Sequence, residues 1–213
     1  MTPTQIYLIR HGESTWNRIG RVQGWSDPAL SALGMQQARA VARRMGEIRP
    51  QRLYASPLLR AYQTAQAISR RMKLPIQPVD EFREVGLGAW EGVPVKWLRR
   101  RHRAMYETWL RTPSKASIPN GERIPAFHRR VSAAFSAVLD DTPPGSTIAI
   151  VTHGGVIRMI LAKVLGIPFD PLMHRISLGN TSITRLTRTR GRLALTVLND
   201  TAHLLHHNGS RPR

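Results

Sequence analysis

An α/β fold, with helices covering both faces of a mostly parallel sheet, is what this sequence predicts, and three observations predict it. Short apolar, partly β-branched runs recur at 5–10 (QIYLIR), 52–56 (RLYAS) and 146–152 (STIAIVT). Longer segments with apolar residues three and four apart lie between them. Each run stops abruptly on a polar turn, as buried strands of a doubly covered sheet do. The layered α/β/α reading follows.

QIYLIR is bounded by turn formers and reads as the first strand. The Gly, Ser, Asp and Pro of 18–30 read as a loop. From Ser31, a plausible N-cap, the apolar residues Leu33, Ala38, Val41, Ala42 and Met45 keep helical spacing. After the strand at 52–56, Pro57 is expected to open a helix to about Arg71, because Pro suits a first helical turn. A short strand is expected near 76–79, before the glycine-punctuated loop ending at Gly92. Residues 93–125 read as a helical excursion, an amphipathic helix with an arginine cluster (KWLRRRHR) followed by a loop. A helix over 125–140, the TPPG turn at 142–145 and the strand at 146–152 come next. HGGVIRMILAKVLG at 153–166 starts a helix at once. Two strands near 182–188 and 193–199 flank an RTRGR hairpin. The tail at 206–213 (HHNGSRPR) reads as disordered.

Composition narrows the function. The 213 residues fit one domain spanning 1–213. There are no cysteines, which excludes a disulfide framework, a thiolate metal site and a cysteine nucleophile. The N-terminus lacks a basic flank before a long apolar segment, and no run approaches the roughly 18 apolar residues of a membrane span. A cytoplasmic protein without a membrane partner is expected. The net charge is +19, from 32 basic and 13 acidic residues, and four of the basic residues are Lys. This favours anionic partners, although much of the arginine reads as a compositional habit spread over solvated faces.

In a parallel sheet, ligands sit outside the carboxyl ends of the strands. His11 follows one strand, Ser56 and Arg60 a second, and His153 a third, so all belong on one edge. There Arg10, Arg60 and two imidazoles would meet a helix starting at Gly154, whose free N–H groups and dipole favour an anion. The guanidinium fork matches phosphate or carboxylate oxygens. A lone His in such a turn is usually structural. Two at equivalent strand ends, one preceded by Arg and both followed by Gly, argue for a site, and Gly lets a ligand approach the backbone. No metal or other cofactor is required, and carboxylates do not cluster near these histidines in the sequence. From the residues alone, Glu84, Glu91 and Glu13 stay open as the acid.

The stretches LIRHGESTWN, SPLLRAYQTA, FREVGLGAWEG and VTHGG, in this order, resemble the histidine phosphatase superfamily, the phosphoglycerate-mutase-like proteins, from about residue 5 to 203. The resemblance implies that family's fold and a phosphohistidine on His11. It implies that Arg10, Arg60 and His153 hold the phosphoryl oxygens, with Asn17 and the Gly154 backbone adding donors, and that Glu84 is the general acid. Ser14, Gln23 and Gly24 would line the pocket, and His203 resembles a substrate-contacting position of some members. Arg10 and Arg60 would keep His11 uncharged by like-charge repulsion, since one such pair at about 4 Å is worth about 4 kcal/mol at an effective dielectric of 20.

Glu84 is followed by VGLG, and His153 by Gly-Gly as in the phosphatase branch. A metal-independent phosphatase acting on a small phosphorylated metabolite is therefore expected. The alternatives are a phosphoglycerate mutase and, from another class, a basic nucleic-acid-binding protein. Aromatic content of 6% and the lack of a recognition motif argue against a nucleic-acid partner. The KWLRRRHR cluster would either grip a second anionic group or form a solvated face. Trp16, Trp25, Trp90 and Trp97 are candidates for pocket or core. Dimers are common in that family, so a homodimer is among the assemblies the resemblance allows.

Overall fold

In the computed structural model, which describes residues 2–207, six strands form one sheet: β1 (Thr4–Arg10), β2 (Arg52–Ala55), β3 (Ile76–Pro78), β4 (Thr147–Thr152), β5 (Ile183–Thr189) and β6 (Arg192–Asp200). Their order is β3-β2-β4-β1-β5-β6. The pairs β3·β2, β2·β4 and β4·β1 are parallel, whereas β5 runs antiparallel to both β1 and β6. The sheet is thus mixed, its parallel half holding the three strands that end on Arg10-His11, Ser56 and His153. A tight hairpin with Gly191 at φ +77° requires the antiparallel β5·β6 pairing.

The two faces of β1 and β4 bury different partners. Ile6, Leu8, Ile148 and Ile150 pack toward α6 (Ile124–Asp140) and α7 (Gly154–Leu165), with Phe127, Val131, Phe135, Ile157 and Leu161 at 0% exposure. Ile9, Ala149 and Val151 pack toward α2 (Ala32–Ile48) and α3 (Leu59–Met72), through Val41, Met45, Ala61, Ala65 and Ile68. Period-two alternation along these strands thus feeds two separate cores. That is the three-layer α/β/α arrangement.

Several local expectations are corrected. The segment read as a loop from 18 begins inside a five-residue helix, α1 (Thr15–Ile19), closed by a reciprocal cap: Ser14 Oγ accepts from Asn17 N and Asn17 Oδ1 accepts from Ser14 N. Ser31 does cap α2, accepting from Gly34 N at 3.0 Å, but Leu33 is 48% exposed because α2 turns Gly34, not Leu33, inward. Pro57 lies before α3 rather than in its first turn; Leu58 at φ −59°, ψ 131° precedes the helix. The excursion breaks at His102 (φ −127°, ψ 39°) into α4 (Val95–Arg101) and α5 (Arg103–Arg111), followed by a 3-10 turn at Pro113–Lys115. Arg99, Arg100, Arg101 and Arg103 would crowd like charges along one continuous helix, and the break leaves all four exposed. A helix absent from the sequence reading, α8 (Phe169–Arg175), follows Pro168. At the C-terminus a 3-10 turn spans Ala202–His207, taking in the first two residues of the expected disordered tail, and 208–213 lie outside the described residues. Among the described residues no helix is long and apolar enough to cross a membrane.

Candidate active site

Because β1, β2 and β4 are parallel neighbours, their last residues deliver side chains to one edge of the sheet. His11 N donates to Thr152 O (2.9 Å) and Ser56 N to Val151 O (3.0 Å), which ties the three strand ends together. The carbonyl of His11 accepts from Thr181 N and from Asn180 Nδ2, each at 3.2 Å. The His11 and His153 rings lie 5.1 Å apart between centroids, tilted by 59°. His153, at 0% exposure, holds its Nε2 2.8 Å from Ser56 Oγ.

The His11 ring is oriented by its own turn. Its Nδ1 sits 2.7 Å from the Gly12 carbonyl, an acceptor only, so Nδ1 carries the hydrogen and Nε2 keeps the lone pair. Gly12 is anchored by its N–H to Thr64 Oγ1 (3.0 Å). A side chain there would meet Gly34 O of α2 at 2.7 Å, so the turn needs glycine for this close approach. Burial pushes the His11 ring well below its ordinary pKa, the Arg60 and Arg10 charges push it further, and the Gly12 bond opposes them. The same direction holds for His153, through burial and then Arg60, His11, Arg10 and Arg130. Both rings are neutral at neutral pH.

Arg60, in the first turn of α3 and 1% exposed, donates through Nη1 to Ser26 O and through Nη2 to Gly24 O, both at 2.8 Å. Burial lowers its pKa to about 10 against the opposing pull of Glu84, Asp27 and Glu91. Arg10 reaches Leu178 O through Nη1, and burial lowers it too. The Nε atoms of Arg10 and Arg60 and the Nδ1 of His153 are buried and have no partner among the described residues. Buried polar atoms left unpaired are costly, and these three surround the nucleophile candidate. An anion there would give them partners.

Geometry separates the three carboxylates. Glu91 has both oxygens occupied by the 24–26 loop and Leu87, accepting from Trp25 N, Leu87 N, Ser26 N and Ser26 Oγ. Glu13 accepts from Ser31 Oγ at 2.6 Å. Glu84 alone of the three lines the cavity. Its Oε1 accepts from Val85 N and its Oε2 from Gly155 N, both at 3.0 Å, which sets the carboxylate against the first turn of α7. The Glu84 carbonyl is gripped from behind by Trp25 Nε1 (2.7 Å) and Arg130 Nη2 (2.9 Å). Arg130 also holds the Glu81 and Arg83 carbonyls and pairs with Glu122 at 2.7 Å, where the two side chains are only 17% and 11% exposed.

These groups open on a cavity of about 250 Å³. Of the expected site residues, Arg10, His11, Gln23, Gly24, Arg60 and Glu84 line it. Ser14, Asn17, His153 and Gly154 stand behind that lining. Ser14, fully buried, directs its hydroxyl to Gln23 Oε1 at 2.8 Å, so Ser14 and Asn17 shape the loop that carries Gln23 and Gly24. Gly155, rather than Gly154, is the α7 glycine on the cavity. His203 is not brought to the cavity. Its Nε2 lies 3.2 Å from Thr181 Oγ1, and Thr181 in turn holds the His11 carbonyl.

Sequence reasoning missed Arg158 of α7, Arg21, and the aromatic residues of α5 and α8 on this cavity. Arg158 follows HGGVI on the helix that starts at the site, and that position was its available signal. Of the tryptophans, Trp90 lines the cavity and is 4% exposed, while Trp97 is 46% exposed against His102. None of Arg99, Arg100, Arg101, His102 or Arg103 reaches the cavity. Among the described residues no group of three or more His, Asp or Glu side chains is arranged to hold a metal ion.

Comparison with known proteins gives the same frame. The sequence profile of the histidine phosphatase superfamily (branch 1) matches residues 6–201. A curated relative from Yersinia pestis (strain Pestoides F), named probable phosphoglycerate mutase GpmB, is 33% identical over 182 residues, covering 85% of this chain and 84% of that one. Among solved structures, Bacillus stearothermophilus YhfR superposes with a TM-score of 0.88 at 30% identity, covering 94% of this chain and 99% of that one. A mycobacterial glucosyl-3-phosphoglycerate phosphatase, solved with VO3, superposes with a TM-score of 0.85 at 28% identity, over 92% of this chain and 99% of that one. With its paired strand-end histidines, its two buried arginines and this match along nearly its whole length, the chain belongs to the histidine phosphatase superfamily, branch 1.

Proposed function

We propose that this protein is a metal-independent phosphatase that hydrolyses a small phosphomonoester through a phosphohistidine on His11. The observation carrying this reading is the His11 ring, held through Nδ1 by the Gly12 carbonyl so that Nε2 is the free ring nitrogen, among three buried nitrogens that lack partners in the described residues. The Nε2 lone pair attacks phosphorus, and the P–O bond to the alcohol breaks. Glu84 gives its proton to the departing oxygen. Arg10, Arg60 and His153 bind the phosphoryl oxygens and stabilise their charge during transfer. Glu84, now a carboxylate, then takes a proton from water as that oxygen attacks phosphorus. The P–N bond breaks, and inorganic phosphate leaves with His11 restored as the neutral ring.

A panel of phosphomonoesters assayed in EDTA, with His11→Ala alongside, tests it. Turnover that survives chelation and vanishes in the variant is expected; turnover that needs added metal, or persists in the variant, contradicts it. A second reading, phosphoglycerate mutase, has the name of the curated relatives on its side. It requires stimulation by a bisphosphorylated primer, and the phosphatase reading expects none.

A further inference from the structure

We infer that Thr181 is a positioning residue for phosphoryl transfer and that His203 acts through it, the two together fixing the backbone that carries the His11 ring. This rests on His11 being the nucleophile and adds residues that hold it in line. The peptide between His11 and Gly12 is gripped on both sides. Its carbonyl accepts from Thr181 N and from Asn180 Nδ2, each at 3.2 Å, and its N–H donates to Thr64 Oγ1 at 3.0 Å. The same segment holds the preceding residue, since Ser182 O accepts from Arg10 N at 3.1 Å and Leu178 O accepts from Arg10 Nη1. The direction of His11 Nε2 is thus referred to the 178–182 turn on one side and to α3 on the other.

Thr181 holds its place against a backbone penalty. It is 0% exposed with φ +55°, in the left-handed region where a β-branched residue is an outlier. Strain of this kind persists only where the surroundings over-determine it, and it gathers at functional sites. Here the surroundings can be named. Thr181 Oγ1 donates to Asn180 O at 2.7 Å, which leaves it only lone pairs for His203 Nε2 at 3.2 Å, so the ring donates to the hydroxyl. His203 lies in the 3-10 turn at Ala202–His207, which packs on α2. Glycine would take the same angle without strain but would give His203 nothing to hold. The hydroxyl is therefore the handle by which the C-terminal turn braces the backbone behind the nucleophile. Attack requires Nε2 in line with the bond that breaks, and a displacement of about 1 Å can cost about 10²-fold. Neither Thr181 nor His203 lines the cavity, so the effect belongs in kcat and not in KM.

Thr181→Val keeps the branched shape and removes the hydroxyl, and His203→Phe keeps a ring and removes the donor. Each should lower kcat on p-nitrophenyl phosphate by about tenfold or more, with KM within about twofold. The double variant should be no slower than the slower single one, because both cut the same chain of bonds. Thr181→Ser, which keeps the hydroxyl, should restore most of kcat. Should Thr181→Val not fold, His203→Phe at its half-buried position carries the test. Urea unfolding of the same samples isolates a merely structural role: variants that lose stability while the folded protein keeps its kcat overturn the inference. So do losses that appear in KM, or that multiply in the double variant. Each of these leaves the phosphatase reading standing, whereas a wild-type enzyme that turns over without phosphorylating His11 overturns both.

Discussion

At the inner end of the cavity the working side chains hang from strand termini and first helical turns: Arg10 and His11 after β1, Arg60 in α3, His153 between β4 and α7. The outer end is bounded by side chains of α5 and α8, helices of nine and seven residues. Inner positions are set by the backbone register of three parallel strands, and the partners of Arg10, His11 and Arg60 are backbone carbonyls. Outer positions are set by side chains packing on side chains. Substitution at the inner end should therefore destroy rate, while substitution at the outer end should shift selectivity and leave the chemistry in place.

The largest break of this contrast is His11→Ala. Loss of the nucleophile should lower kcat/KM by about 10³-fold or more on every ester, read by initial rates. A uniform loss of less than tenfold would show that His11 does not form the bond. Glu84→Gln should lower kcat by about 10²–10³-fold for alkyl esters. For p-nitrophenyl phosphate, whose leaving group needs no proton, the loss should be much smaller. Equal losses on both esters would remove the general-acid role.

Arg130→Met removes the support of the site rather than a group within it. It strands Glu122 in a mostly buried position and frees three carbonyls of the 81–84 segment. A loss of about 3 kcal/mol in denaturant unfolding is expected, together with a fall in kcat. Gly155→Ala is gentler. A methyl there would lie 2.2 Å from Glu84 Oε1, so the carboxylate must swing away while the backbone stays. The expected result is a folded protein with kcat down about tenfold to a hundredfold, and unchanged kcat would mean that Glu84's position is immaterial.

These variants also mark how far the sequence could be read. The strand-end placement of Arg10, His11 and His153 was legible because QIYLIR and STIAIVT are short runs with apolar centres that stop on His-Gly, and that of Arg60 because RLYAS ends four residues before it. Glu84, by contrast, could not be told from Glu91 and Glu13 without the resemblance, because what separates them is tertiary: Gly155 N holds one, and the 24–26 loop holds another. Arg130 was hidden in a chain with 32 basic residues, whereas Arg158 had one signal, its place after HGGVI on the helix that starts at the site. The helix α8 was missed because seven residues after Pro168 give too few turns for periodicity to register. Without it the outer end of the cavity was incomplete, and the KWLRRRHR cluster and His203 stood as claimants for substrate contact that the structure does not bring to the cavity.

The smallest effect expected is on stability against pH. The folded-state pKa values of His11 and His153 lie well below the ordinary value near 6.5, through burial first and then neighbouring charge. Above about pH 6.5 neither state binds a proton there. Below it the unfolded chain does and the folded chain does not, so these rings make stability fall as pH drops, until the depressed folded values are reached. The slope is up to about 1.4 kcal/mol per pH unit for each ring. In His11→Ala that slope should be shallower between pH 6 and 5, as read by urea unfolding, and an unaltered slope would refute a buried neutral ring.

The central claim is that a neutral His11, set by Gly12 and surrounded by Arg10, Arg60 and His153, takes the phosphoryl group onto its ring. Rapid quench of a turnover with ³²P-labelled ester, followed by peptide mapping, tests it most directly. An acid-labile, base-stable label on His11 that decays as inorganic phosphate appears is the expected result. Label on another residue, or none while phosphate is released, would contradict it.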